Sequence, residues 1–320
     1  RLLASDGSWT RCDLEHLWSV RPVKDGKDSI YQTMTALELR ERIANGERWM
    51  LPERPVAEMS NRLELPVDPY LVGLLIGDGG LSTDTVVLTS ADDEIVRYCQ
   101  RIAPAYGGEF VKRGDLTYQF ATKIRKSGRH LNVLAELLNG LGLRWKLSKD
   151  KRIPPEYMTA SPLARLALLR GLMDTDGSCG TNGARAYYSV SKELCEDVAE
   201  LARSLGIGAS VLQKNGLYKQ QRHVSWKVGL ARSELSVFGL ARKREREIFT
   251  GRTVRGIMVD AVFDDGIAQC TCITVEAPDH LYLTRHCIVT HNSIAGGFES
   301  AVHATGLYPH WWNGWKLDRP

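Results

Sequence analysis

Between about residues 66 and 250 one unit occurs twice, and a chain built on a doubled supersecondary unit has few folds open to it. The first copy opens with Pro69-Tyr70-Leu71-Val72-Gly73-Leu74-Leu75-Ile76-Gly77-Asp78-Gly79, the second with Leu168-Leu169-Arg170-Gly171-Leu172-Met173-Asp174-Thr175-Asp176-Gly177. Each opening is followed by short β-like segments, a helix, further β-like segments, another helix and a basic stretch. Small residues recur four apart, Gly73 with Gly77 and Gly171 with Thr175, which places each pair on one helical face. Glycine inside a helix costs about 1 kcal/mol, so a packing reason is needed. Two such faces let helices pack closer than the ordinary ~8–10 Å.

Gly79 and Gly177 are expected to end the two helices as C-terminal glycine caps. Asp78 and Asp176 fall in the last turns, where the helix dipole disfavours negative charge. A local rule broken twice at the same place predicts a compensating cation. Two carboxylates side by side at the foot of a close helix pair suit a hard divalent cation such as Mg²⁺.

This doubled motif resembles that of the LAGLIDADG (DOD-type) homing endonucleases, over roughly 185 residues. The resemblance implies a two-repeat αββαββα domain over 66–250 that cuts double-stranded DNA as a monomer, with Mg²⁺ or another divalent metal. It also implies that Asp78 and Asp176 are the metal-binding acids. Lys151, in Lys151-Arg152-Ile153-Pro154, matches the basic residue of the block after the first repeat, and Lys243 takes the corresponding place after the second. Ile76 stands where the motif's earlier acid would be in the first copy. That acid is not the metal ligand, so activity is still expected.

Strand patterns and charge agree with a polyanion partner. Tyr118, Phe120 and Ile124 alternate with Gln119, Lys123 and Arg125, and Val224, Trp226, Val228 and Leu230 with His223, Ser225 and Lys227. Each strand therefore has an apolar face and a polar, basic one, as a sheet lying in a DNA groove needs. From Lys112 to Arg152 there are eleven Lys/Arg against three acids, in a chain whose net charge is only +4. The shorter run at 242–247 reads equally well as a solvated surface.

A second constellation lies near the two ends of the chain. Ile288-Val289-Thr290-His291-Asn292-Ser293 follows a segment that reads as two strands joined at Arg285-His286. An asparagine side-chain amide can close a succinimide on its own carbonyl and break the chain, provided an acid protonates the leaving amine. His291 is placed to do so. Near the front stands Cys12-Asp13-Leu14-Glu15-His16-Leu17-Trp18. Together these blocks resemble the β-rich Hint (horseshoe) splicing domain of inteins. His16 matches the N-terminal histidine block, His280 the penultimate-block histidine, His291-Asn292 the terminal pair and Ser293 the first residue downstream. Trp18, Cys272 and Thr290 fill the three places that mark class 3 inteins. The resemblance implies that Cys272 attacks the upstream junction and that the acyl group passes to Ser293 before Asn292 cyclises. Asp13 departs from the Thr or Ser usual three before the histidine. Taken singly, Trp18 also reads as a core aromatic and His280 as a satisfied strand histidine. Zinc held by Cys270, Cys272, His286, Cys287 and His291 is disfavoured, since no Cys-x-x-Cys pair occurs.

Residues 293–320 resemble the start of a phage terminase large subunit just past its phosphate-binding loop, so Ser293 would end that loop in the ligated host. The expected order is an N-terminal splicing part with connector (1–65), the endonuclease (66–250), the C-terminal splicing part (251–292) and host sequence (293–320). The fold class is α+β and multi-domain. Within 1–65, Thr35-Ala36-Leu37-Glu38 to Asn45-Gly46 is expected to be a connector helix with a capping box. Partners are double-stranded DNA at the insertion site and the flanking host segments of the terminase, with no membrane, because no apolar run is long enough to span one. Seven cysteines at irregular spacing suit a reducing cytoplasm, that of a bacterial phage host, and a free Cys272 thiol. Arg1 in place of an initiating Met reads as a fragment or excised frame, which could at most cleave after Asn292. The alternative is a splicing element whose LAGLIDADG domain is inactive or purely nucleic-acid-binding.

Overall fold

The computed structural model describes residues 1–23, 29–59, 64–122, 125–126, 129–218, 221–249, 256–269, 273, 275–277, 279, 281–291, 302 and 304–308, the side chains of 125–126, 129–130, 217–218 and 221–223 excepted. The chain divides into two compact units, one of residues 1–54 with 254–320 and one of residues 55–253.

The first unit begins with strands β1 (Leu2–Ala4), β2 (Trp9–Thr10), β3 (Leu17–Pro22) and β4 (Gln32–Thr35), then helix α1 (Ala36–Ala44) and strand β5 (Trp49–Leu51). The capping box expected at Thr35 and Glu38 is present, with the Glu38 carboxylate accepting from Thr35 N–H at 2.8 Å and Thr35 Oγ1 from Glu38 N–H at 3.1 Å. The helix is more than a connector. Its first two amides, which a helix cannot satisfy internally, donate to the carbonyls of His16 (2.8 Å) and Leu14 (3.0 Å), so α1 holds the turn that carries His16.

The second unit contains the doubled unit. Its first half runs α2 (Pro69–Asp78), β6 (Gly79–Gly80), β7 (Val87–Thr89), α3 (Asp93–Ile102), β8 (Gly108–Lys112), β9 (Thr117–Thr122), the small ladder β10 (Arg125–Lys126) and β11 (Arg129–His130), and α4 (Val133–Gly140). The second half runs α5 (Pro155–Met158), α6 (Pro162–Thr175), β12 (Gly177–Cys179), β13 (Arg185–Ser189), α7 (Lys192–Ser204), β14 (Ala209–Tyr218), β15 (Gln221–Leu230) and α8 (Ala241–Arg244). The chain then returns to the first unit as β16 (Ile257–Val262), β17 (Leu281–Leu283) and β18 (Val289–His291).

Each half of the second unit forms its own antiparallel sheet, ordered β6-β7-β9-β8 and β12-β13-β15-β14. The helices that open the halves start alike. Asp68 caps α2 and Ser161 caps α6, each followed by proline at the first helical position, whose missing N–H costs nothing there. A Cβ on Gly73 would lie 2.8 Å from Leu172 N and 2.9 Å from Gly171 Cα, and one on Gly171 would lie 2.9 Å from both Gly73 Cα and Leu74 N. The expected face-to-face approach is therefore backbone against backbone. Around it, Leu71, Leu74, Leu75, Leu168, Leu169, Leu172 and Met173 are buried, and the apolar stripes of α3 (Ile95, Val96, Cys99) and α7 (Leu194, Cys195, Val198, Leu201) join the same core.

Two sequence expectations are corrected. Gly79 is not a left-handed cap: its φ is −78° and ψ 132°, so α2 turns straight into β6, and Gly177 likewise begins β12. Glycine is needed at both because a Cβ would press on the preceding helical turn, against Leu75 in one copy and Met173 in the other. Alternation in β15 holds at the inner end, where Val228 and Leu230 are buried, but Trp226 is half-buried and Val224 is 50% exposed. The β14–β15 hairpin extends ten residues a side, past the 13-residue α7 that covers its inner end.

In the first unit the sheet order is β2-β1-β16-β5-β3-β4, with β17 and β18 paired separately. Its core gathers Leu2, Trp18, Val20, Leu39, Trp49, Leu51, Val259 and Ile288.

Candidate functional site

The feet of α2 and α6 bring the two predicted acids together. Asp78 is the last residue of α2 and Asp176 follows the last residue of α6. An Asp176 carboxylate oxygen comes within 3.2 Å of where a Gly77 Cβ would stand, so the glycine face also makes room for the acid of the other helix. Asp78 is exposed and Asp176 half-buried.

The cation demanded by the helix ends is present, and it is supplied by the chain. Lys151 is buried, and its ammonium donates to the carbonyls of Leu75 (3.0 Å), Ile76 (2.8 Å), Gly77 (3.4 Å) and Gly79 (2.8 Å). Lys243, also buried, donates to Met173 (2.9 Å), Asp174 (2.7 Å) and Gly177 (2.7 Å). Each lysine thus satisfies orphan carbonyls at one helix end and meets its dipole. Burial lowers both ammonium pKa values, that of Lys151 to about 8, against the pull of Asp176 and Asp78.

Lysine already meets both helix dipoles, which leaves the two carboxylates as the groups that call for a metal. Burial and then the Asp78 charge push Asp176 up to about 6, against Lys151 and Lys243. Asp78 is also raised, by poor hydration first, with Lys151 and Lys243 opposing. The fully buried Tyr187 hydroxyl lies beside Asp176, and hydrogen bonding to that carboxylate opposes its rise. Two mutually repelling carboxylates side by side fit a hard divalent cation, whose other positions go to water and phosphate oxygens. Among the described residues no third His, Cys, Asp or Glu joins them.

One contributor was missed by sequence reasoning. Asp174, 2% exposed, accepts from the Tyr70 hydroxyl (2.7 Å) and the amides of Gly239 (2.9 Å) and Leu240 (3.1 Å), fastening the segment that leads to Lys243. Its counterpart Ile76 is buried in the apolar core. Glycine is needed at 239, since a Cβ there would crowd Asp174 and Tyr70.

The first unit assembles the described part of the second constellation. His16 Nε2 and Thr290 Oγ1 lie 2.5 Å apart, and the His16 ring meets Trp18 edge-on, centroids 5.2 Å apart. Trp18 is wholly buried, so its core role and its contact with His16 coexist. The β17–β18 register pairs Leu281 with His291 and Tyr282 with Thr290. Burial lowers the His16 pKa, the Asp13 charge raises it, and the His291 imidazole lowers it again. Asp13 accepts from Glu15 N–H at 2.8 Å, shaping the turn before His16. Cys272, His280, Asn292 and Ser293 lie outside the described residues.

Residues 164–253, which contain α6, Asp176 and Lys243, match the LAGLIDADG-like domain family. Over 264 residues the chain is 28% identical to the replicative DNA helicase DnaB of Mycobacterium intracellulare, an alignment covering 81% of this chain and 39% of the helicase. Among solved structures it is similar to mesophilic variants of the homing endonuclease I-DmoI (16% identity, 57% of this chain, 92% of that one, TM-score 0.36). It is also similar to I-DmoI in complex with DNA and Ca (17% identity, 56% and 85%, TM-score 0.36) and with DNA and Mn (18% identity, 58% and 98%, TM-score 0.33). Among the described residues no helix is long and apolar enough to cross a membrane.

Proposed function

We propose that the chain is a splicing element that carries a double-motif, divalent-metal-dependent DNA endonuclease. The observation that carries the nuclease reading is the convergence of Asp78 and Asp176 at the feet of two helices whose ends are capped by Lys151 and Lys243. The two aspartates would hold the cation, which supplies positive charge beside a scissile phosphate of double-stranded DNA. The lysines keep the helix ends charge-balanced, so that both carboxylates can ionise at neutral pH.

The splicing reading rests on the His16–Thr290 contact with His291 nearby. Cyclisation would form a bond from the Asn292 side-chain nitrogen to its own carbonyl carbon and break the bond to Ser293. His291 would give the proton to the departing amine. Cys272 and His280 would serve the upstream junction as the class 3 pattern implies. Host sequence would begin at Ser293, in a terminase by the character of 293–320, while the helicase relative offers a second host to test.

Two experiments test these roles. The protein is incubated with Mg²⁺ and plasmids bearing the uninterrupted terminase or helicase gene, and the ends are mapped. One double-strand break at the insertion codon is expected, lost in Asp78→Asn and in Asp176→Asn while gel-shift binding persists. Cutting retained by either variant removes the metal-site assignment. For splicing, release of residues 293–320 is followed by mass spectrometry. Asn292→Ala is expected to abolish it, and release from that variant would rule out cyclisation.

A further inference from the structure

Each buried lysine sits beside an arginine that reaches into the other repeat. Lys151 ends the first half and caps its helix α2, but the next residue, Arg152, grips Asp197 in α7 of the second half, Nε to Oδ2 at 2.6 Å and Nη2 to Oδ1 at 2.7 Å. The Ile153 amide donates to the same carboxylate at 3.1 Å. Lys243 ends the second half and caps α6, while the residue before it, Arg242, grips Asp92 of the first half at 2.6 and 2.8 Å.

These pairs are not one contact repeated by symmetry. Asp92 is the N-cap of α3, whereas Asp197 lies inside α7. Two different positions arrive at the same device, a planar guanidinium fork on a carboxylate of the opposite repeat. Asp92 also departs from what its place favours. An N-cap aspartate ordinarily accepts amides of its own helix, yet Asp92 makes no side-chain capping bond and turns to Arg242. Both arginines are about half exposed, where ion pairs add little to stability. What the pairs do fix is distance, because each lysine segment is bonded to the helix end of its own half and to a rigid helix of the other.

We propose that Arg152–Asp197 and Arg242–Asp92 are positioning residues that cross-tie the two repeats, fixing the lysines, and through them the feet of α2 and α6, at the separation the paired aspartates require. This rests on the nuclease reading for its consequence but not for its test.

In the full chain, Asp92→Asn and Asp197→Asn each remove a tie while keeping every cation that DNA could use. Two readouts are taken. The first is the acetylation rate of Lys151 and Lys243, by mass spectrometry, against exposed Lys146 and Lys149 as internal references. The second is kcat and KM for Mg²⁺-dependent cutting. Each variant should acetylate its affected lysine several-fold faster and lose about tenfold in kcat with KM unchanged, as loss of alignment alone would do. The exchanges Asp92→Arg with Arg242→Asp, and Asp197→Arg with Arg152→Asp, should restore both values. Wild-type labelling in the single variants overturns the proposal, and so does failure of the exchanges to restore it. If the wild type cuts no DNA while labelling responds as expected, the cross-ties stand and the nuclease reading falls.

Discussion

Asp176 carries a carboxyl that is costly to ionise in the folded chain. Its pKa stands at about 6, above the ordinary carboxylate value, because burial and the Asp78 charge both favour the proton. The folded state therefore binds this proton more tightly than the unfolded one. Its penalty is absent below about pH 4, grows as pH rises through 6 and is complete above it. Asp176→Asn should accordingly be more stable than the wild type at pH 7.5, by on the order of 1 kcal/mol after solvent screening, and the difference should close by pH 4. Urea titrations across that range read it directly. A difference that widens toward low pH would contradict the burial argument. The substitution expected to abolish cutting is thus also expected to stabilise the metal-free fold.

At the scale of elements, the α2–α6 pair is the part most exposed to small changes. Gly171→Ala places a methyl against Tyr70, Gly73 and Leu74 backbone, none of which can rotate away. We expect it to cost about 2–4 kcal/mol, as overpacking of rigid backbone does. Gly140→Ala, in α4 with open space around it, should be close to neutral. Equal urea midpoints for the two would show that the helices can separate at little cost. This pair was legible in the sequence because small residues at a spacing of four repeat in a window of a dozen residues. So was α1, whose cap lies within four residues. The lysine caps were named from a motif, but their work on helix carbonyls was not visible. Lys151 and Leu75 are 76 positions apart with no periodicity between them. Asp174 and the arginine ties were hidden for the same reason, since side-chain bonds over 45 to 150 positions leave no local pattern. The role of α1 in holding His16 was missed because its donors are backbone amides, which every sequence has.

At the scale of the whole molecule, the two units have separate cores, one around Trp18, Leu39 and Trp49, the other around Leu74, Leu172 and Leu201. Calorimetry should therefore resolve two transitions. Leu39→Ala should lower one and Leu172→Ala the other, each by about 2–5 kcal/mol of unit stability. A single transition moved by both would mean that the cores unfold as one. Strand β5 is the last before the excursion and β16 the first after it, and they are hydrogen-bonded neighbours, Leu51 opposite Ile257 and Met50 opposite Met258. The chain thus leaves this sheet after Leu51 and rejoins it at Ile257, on neighbouring strands. A hairpin loop of a few residues could join the same two strands with less closure entropy. Because β5 and β16 pair directly, a short loop in place of residues 55–253 is expected to leave their register unchanged.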